Sequence, residues 1–269
     1  MDIQLNGFKL FAYTGGKPFD AAKPTVVFIH GVLNDHSVWI LQSRWFAHHG
    51  WNVLAIDLPG HCRSGGEPPA SVEAAAALIP ALLDAAGVKQ AALVGHSFGA
   101  LIALEAAARY SDRVSHLALV GVAFPMKVSA ALLDASLNAP QKGIDMVNVF
   151  SHSKMAPPPS ALGPGTWVHG GSRALMRRVL ASNSRANVFH TGFKACDSYA
   201  GGDEAILAVR CPVLFLLGRA DQMTPPAATR GLIEKATGGR VVTVDAGHSL
   251  MTEAPDAVLA ALGQFLDAR

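Results

Sequence analysis

"LVGHSFGALIALEAAA", residues 93–108, sets one serine between two glycines at the point where an apolar strand pattern gives way to a helical one. Gly95-His96-Ser97-Phe98-Gly99 fits G-x-S-x-G in the context that gives this motif meaning, after a strand and before a helix. A chain that turns this sharply holds its central residue in strained backbone geometry, and side chains two positions away on either side would collide. Ser97 is therefore a candidate nucleophile at the N-terminus of a helix, whose dipole favours developing negative charge.

A serine needs a base, and the base needs an orienting acid, which on such a sheet follow in the chain order serine, acid, histidine. Beyond residue 190 the chain has a single histidine, His248 in "VVTVDAGHSLMTEAP", just after the last strand pattern. Asp221, in "VLFLLGRADQMTPP", lies on the loop past the preceding strand and is the candidate acid. The alternatives are weaker. No Asp or Glu stands between Arg113 and Leu133, and Asp245 is too near His248 in the chain to face its ring. The oxyanion of an acyl-transfer reaction also needs donors. The amides of Phe98 and of Val32, in the His30-Gly31-Val32-Leu33 loop, are the candidates; His30, His61 and His96 are expected to organise loops by hydrogen bonding.

Around this centre the pattern is regular. "IQLNGFKLFAYTG" predicts an opening β-hairpin, and "KPTVVFIHG", "WNVLAIDLPG", "KQAALVGH", "SHLALVGVA", "CPVLFLLGRAD" and "GRVVTVDAGH" predict strands covered on both faces. Helices are predicted over about 36–48, 71–86, 98–110, 226–237 and 254–267 from periodicity. Strand and helix alternating in this way give a mostly parallel, doubly wound sheet with helices on both faces. The alternation breaks between about 122 and 208, where Pro/Gly-rich "MAPPPSALGPGTW" is followed by helical "SRALMRRVLASNS". Residues 1–121 and 209–269 are thus expected to form the core, and 122–208 a helical cap inserted after the sixth strand.

The 269 residues carry a net charge of +2 from 22 basic and 20 acidic side chains, without runs of one sign, so nucleic acid is not an expected partner. No segment has the length of uninterrupted apolar residues that a membrane span requires, and the N-terminus has no signal-peptide pattern. Cys62, Cys196 and Cys211 are odd in number and widely spaced, which fits free thiols in a cytoplasmic protein rather than a disulfide framework or zinc site.

With these residues in place the chain resembles the serine-nucleophile α/β-hydrolase family, in its helical-cap branch. "HGVLNDHSVW" at 30–39, "DLPGHCRSGG" at 57–66, "GHSFGA" at 95–100, and "GRADQMTPP" with "AGHSLMTEAP" stand in the family's order. Cys62 replaces a glycine usual in that family, and packing is its expected role. Haloalkane dehalogenases and most epoxide hydrolases of this fold carry aspartate at the elbow, where this chain has Ser97. The resemblance implies an esterase acting on a small-molecule substrate without metal or organic cofactor, with Ser97, His248 and Asp221 as its triad. Thioester, lactone and carbon–carbon bond hydrolysis use the same triad and stay open, as does a receptor built on a hydrolase fold; the oligomeric state is left undetermined. Leu33, Phe124, Met126, Met155, Trp167, Met223 and Leu250 are candidate pocket walls for a small to medium apolar group.

Overall fold

The computed structural model describes residues 1–5, 7–153 and 167–267. Strands β1 (Asp2–Leu5) and β2 (Phe8–Tyr13) form the expected hairpin, and β2 adds antiparallel to β4 (Asn52–Ile56). From there the sheet is parallel: β3 (Thr25–Ile29), β5 (Ala91–His96), β6 (Val114–Val120), β7 (Val213–Gly218) and β8 (Arg240–Val244). The eight strands lie in the order β1-β2-β4-β3-β5-β6-β7-β8. Because side chains alternate between faces of a strand, the apolar runs supply both cores at once. Val27, Ile29, Leu54, Leu93, Leu119 and Phe215 face one layer of helices, whereas Val26, Phe28, Val53, Val94, Val120 and Leu216 face the other.

The first layer holds α2 (Val72–Ala76), α3 (Leu78–Ala85), α4 (Phe98–Arg109) and α10 (Arg230–Lys235); the second holds α1 (Ile40–His48), α11 (Leu250–Glu253) and α12 (Pro255–Leu266). Residues 71–86, expected as one helix, are two. Pro80 has no N–H to offer the carbonyl of Ala76 and its ring crowds that carbonyl, so the helix breaks at Ala77.

Between β6 and β7 the chain forms α5 (Ala130–Asn138), α6 (Pro140–Phe150), α7 (Val168–Ala181), α8 (Val188–Ser198) and α9 (Gly202–Ala208). Ser129 and Asn187 cap α5 and α8 by accepting backbone N–H bonds, and Pro140 opens α6 at a position that needs no donor. Leu132, Ile144, Met176, Val179, Val188, Phe189 and Phe193 of this insertion form a third apolar cluster, closed underneath by Leu33. Its last helix behaves differently: Ala205 and Ile206 of α9 belong to the core beside α4. The insertion is tied down at several points. Arg178 Nη2 donates to Asp35 Oδ2 at 2.6 Å, Asn183 Nδ2 to the Gly60 carbonyl at 3.0 Å, and the Cys62 N–H to Ser182 Oγ at 2.9 Å.

Candidate active site

The turn from β5 into α4 has the strain that its sequence announces. Ser97 sits at φ 55°, ψ −117°, and its N–H donates to the Val120 carbonyl at 2.9 Å, fixing the elbow to the end of β6. A Cβ on Gly95 would lie 2.1 Å from the Gly99 carbonyl oxygen, and one on Gly99 would lie 2.3 Å from that of Ile29. Both positions therefore exclude every side chain, which lets α4 start directly against β3.

The loop after β7 places Asp221, only 4% exposed. Its Oδ1 accepts the N–H groups of Met223 and Thr224, both at 2.8 Å, and its Oδ2 accepts the Thr224 hydroxyl at 2.7 Å. Oδ2 also lies 2.8 Å from Nδ1 of His248, on the loop after β8. Burial alone would raise the Asp221 carboxyl, but His248 and the bonds from Thr224 outweigh it and hold the carboxyl below its usual range. With an ionised acceptor at Nδ1, the imidazole carries its proton there and leaves the Nε2 lone pair available. Asp245, the rejected carboxylate, points to solvent and pairs with Arg219 at 2.7 Å.

Three other histidines support the site. His30 accepts the Leu58 N–H at Nε2 (3.0 Å) and donates from Nδ1 to the Gly31 carbonyl (2.8 Å), joining the loops after β3 and β4. His96 donates from Nε2 to the carbonyl of His248 at 2.8 Å; burial, reinforced by His248, pushes it down to about 3, so its ring is neutral. His61 is likewise lowered to about 3 by burial and by His30.

Phe98 is the first residue of α4, where a backbone N–H has no helical partner, and Val32 follows Gly31 in the loop after β3. Ser97 and His248 border a cavity of about 250 Å³, walled by Met126, Val128, Leu132, Met146, Phe193 and Met223. A narrow space of about 40 Å³, lined by Gly31, Val32, Ser97, His248 and Ser249, leads on from it. Of the expected pocket walls, Met126 and Met223 take that place. Leu33 is buried beneath the insertion, Leu250 in the core of the opposite sheet face, and Phe124 against Tyr199 and Gly202. Trp167 is 62% exposed, and Met155 lies outside the described residues.

Thr224 escaped the sequence reading, although Asp221 followed by Thr three residues on is a recognisable local turn pattern. Cys62 donates its S–H to Asp35, and burial together with Asp35 pushes its thiol up to about 12, so it packs as a neutral thiol. Asp35, His36 and Asp57 bring three possible metal ligands within 4.8 Å of one another. Their carboxylate oxygens already accept from the backbone N–H groups of Ser37 and Arg63, the Arg178 guanidinium and His36, which suits a structural hydrogen-bonded cluster.

A strained serine before a helix, with an imidazole and a buried carboxylate brought to it by later strands, defines a hydrolase. Residues 26–261 match the model of the Alpha/beta hydrolase family, and the chain belongs to that family. It is 30% identical over 252 residues to the pimeloyl-[acyl-carrier protein] methyl ester esterase of Neisseria meningitidis serogroup C, covering 92% of this chain and 95% of that protein. It is 26% identical to epoxide hydrolase A of Mycobacterium tuberculosis, covering 98% and 96%. Similar solved structures include an esterase from Exiguobacterium antarcticum (TM-score 0.84, 16% identity, 100% and 99% covered) and the enol-lactonase from Burkholderia xenovorans (TM-score 0.82, 22% identity, 99% of each). Among the described residues, no helix is long and apolar enough to cross a membrane.

Proposed function

We propose that the protein is a serine hydrolase of carboxylic esters with small to medium apolar acyl groups, with residues 122–208 as its cap. The observation that carries this is the 2.8 Å contact between Asp221 and His248 at a cavity that Ser97 also borders. His248 Nε2 takes the Ser97 proton as Oγ attacks the ester carbonyl, and Asp221 holds the tautomer and balances the imidazolium. The amides of Val32 and Phe98 receive the oxyanion. His248 then protonates the departing alcohol, and water repeats the sequence on the acyl-enzyme to free the acid.

The cavity of about 250 Å³ is at the small end for a ligand site, and its methionine, leucine, valine and phenylalanine walls favour a short apolar acyl chain. Ester hydrolysis is the activity in the name of the Neisseria relative, which supports an ester over a thioester, lactone or carbon–carbon bond. Ser97 at the elbow weighs against epoxide hydrolysis despite the mycobacterial likeness. Free thiols at Cys62, Cys196 and Cys211 suit a reducing cytoplasm. The test is a panel of p-nitrophenyl esters from acetate to decanoate, with Ser97→Ala alongside. Turnover should peak at short to medium chains and fall by about 10⁴-fold or more in the variant. Substantial activity in Ser97→Ala, or no labelling of the native protein by a fluorophosphonate, would end the assignment.

A further inference from the structure

One buried carboxylate takes no part in the reaction as derived. Glu253, at the end of α11, is 7% exposed. Its Oε1 accepts the Ser153 N–H at 2.9 Å and the Ser153 hydroxyl at 2.8 Å, and its Oε2 accepts the Gly247 N–H at 2.6 Å. Ser153 follows α6 in the insertion, whereas Gly247 immediately precedes His248. A second bond crosses the same seam, from the Ser249 N–H to the Ser151 carbonyl at 2.9 Å. His248 is thus flanked on both sides by residues bonded into the 151–153 segment, directly or through Glu253. A Cβ on Gly247 would lie 2.7 Å from Ser153 N and 2.8 Å from the Ser151 oxygen, so glycine is what lets the two backbones touch. Upstream, Met146 and Phe150 of α6 line the cavity of about 250 Å³, and Val147 of α6 and Ser151 just after it line the narrow one.

We propose that Glu253 is a positioning residue that locks the His248 loop to the end of α6, so that the base is in register only while the helix walling the acyl cavity is seated. The proposal rests on the reading of His248 as the general base. The chemistry of the clamp is specific to a carboxylate, which has acceptor capacity at both oxygens. In Glu253→Gln the two Ser153 donors retain the amide oxygen, and the NH₂ group is left facing the Gly247 N–H, donor against donor. The residue before His248 is then pushed away while the rest of α11 is undisturbed.

The test compares Glu253→Gln, Ser153→Ala and the double variant with the native protein. Five quantities are read: kcat and KM on p-nitrophenyl butyrate, the rate of fluorophosphonate labelling, the melting temperature, and the low-field proton resonance of the His248 Nδ1–H. Glu253→Gln should lower kcat by roughly 10- to 100-fold, the scale of an ångström-sized misplacement, and slow labelling by the same factor. KM should stay within about three-fold, the Nδ1–H resonance should shift or broaden, and the protein should remain folded at the assay temperature. Ser153→Ala should cost less, and the double variant should be no slower than Glu253→Gln by more than about two-fold, because the two residues act in one network. An unmoved resonance, or a loss of kcat that vanishes when corrected for unfolded protein, would overturn the proposal. The resonance can also be followed in Ser97→Ala, so an error in the nucleophile reading would show in turnover and leave this test standing.

Discussion

Asp221→Asn is nearly isosteric, and the hydrogen bonds of the loop dictate which way the new amide must face. Two backbone donors, from Met223 and Thr224, point at Oδ1 at 2.8 Å each, and both are held by the turn itself. The asparagine carbonyl must take that position, which sends the NH₂ group to the place of Oδ2, opposite His248 Nδ1 and the Thr224 hydroxyl. Reversing the amide would leave one buried and one half-buried backbone donor facing a donor, at a cost of about 2 kcal/mol or more. The imidazole then has to accept at Nδ1 and carry its proton on Nε2, where it can no longer take one from Ser97. A tautomer fixed the wrong way lowers kcat by about 10⁴, or roughly 5.5 kcal/mol of transition-state stabilisation. Steady-state rates on p-nitrophenyl butyrate, normalised to folded protein, measure it. Asp245→Asn is the control: its carboxylate is exposed on the Arg219 pair, and rates should stay within about two-fold. If Asp221→Asn retained more than about a tenth of kcat, or if Asp245→Asn did the damage, the assignment of the acid would be refuted.

Two further predictions concern the frame of the site. Burial works to raise the Asp35 carboxyl, but bonds from Ser37 and Arg178 overcome it and hold the carboxyl at about 2 against a usual 3.8. A depressed carboxylate stabilises the fold above its unfolded value and loses that contribution as pH falls through its folded one, here roughly 2.5 kcal/mol between about pH 4 and 2. Asp35→Asn should therefore flatten the acid limb of a urea-derived stability profile in that window and lower stability at neutral pH; an unchanged slope would contradict the linkage. Gly99→Ala forces a methyl to within 2.3 Å of the Ile29 oxygen and 2.7 Å of that of His30. About 3 kcal/mol or more of destabilisation should follow, a fall of about 6–12 °C in Tm by thermal melt. A native-like melt would mean that the elbow tolerates more than its packing allows.

The parts legible in the sequence are those that local sterics or chain order enforce. Gly95 and Gly99 have to be glycine because backbone lies where their Cβ atoms would be, so the elbow shows as a pattern of five residues. The double-sided burial of β3, β5 and β7 shows as unbroken apolar runs. The cavity walls are different in kind. Phe124 and Leu250 sit as near to the site in the chain as Met126 and Ser249, yet a few residues decide whether a side chain turns into the cavity or into a core, and tertiary packing sets that direction. Trp167 instead stands exposed at the start of α7. Glu253 showed only as a carboxylate five residues after His248, because its partner across the seam, Ser153, comes from 100 positions away.

The buried histidines around Ser97 make chemical sense only when their charge is considered together. In the proposed transition state His248 becomes a cation, and its ring centroid is 4.7 Å from that of His96. A protonated His96 at that separation would oppose the imidazolium by roughly 3.5 kcal/mol at an effective dielectric constant of about 20, most of the way to cancelling what a hydrogen-bonded carboxylate contributes. Burial prevents this by holding His96 and His61 at about 3 and His30 below its usual value. Neutral imidazole still supplies one donor and one acceptor: His30 uses both, on Gly31 and Leu58, and His96 uses its donor on the His248 carbonyl. Lysine or arginine could donate at these positions only by bringing a permanent charge, and glutamine could bond both ways but without the same rigid ring. Histidine therefore recurs beside Ser97 as a neutral hydrogen-bonding strut, and His248 is the imidazole set against the Asp221 carboxylate, where the proposed reaction needs a positive charge to develop.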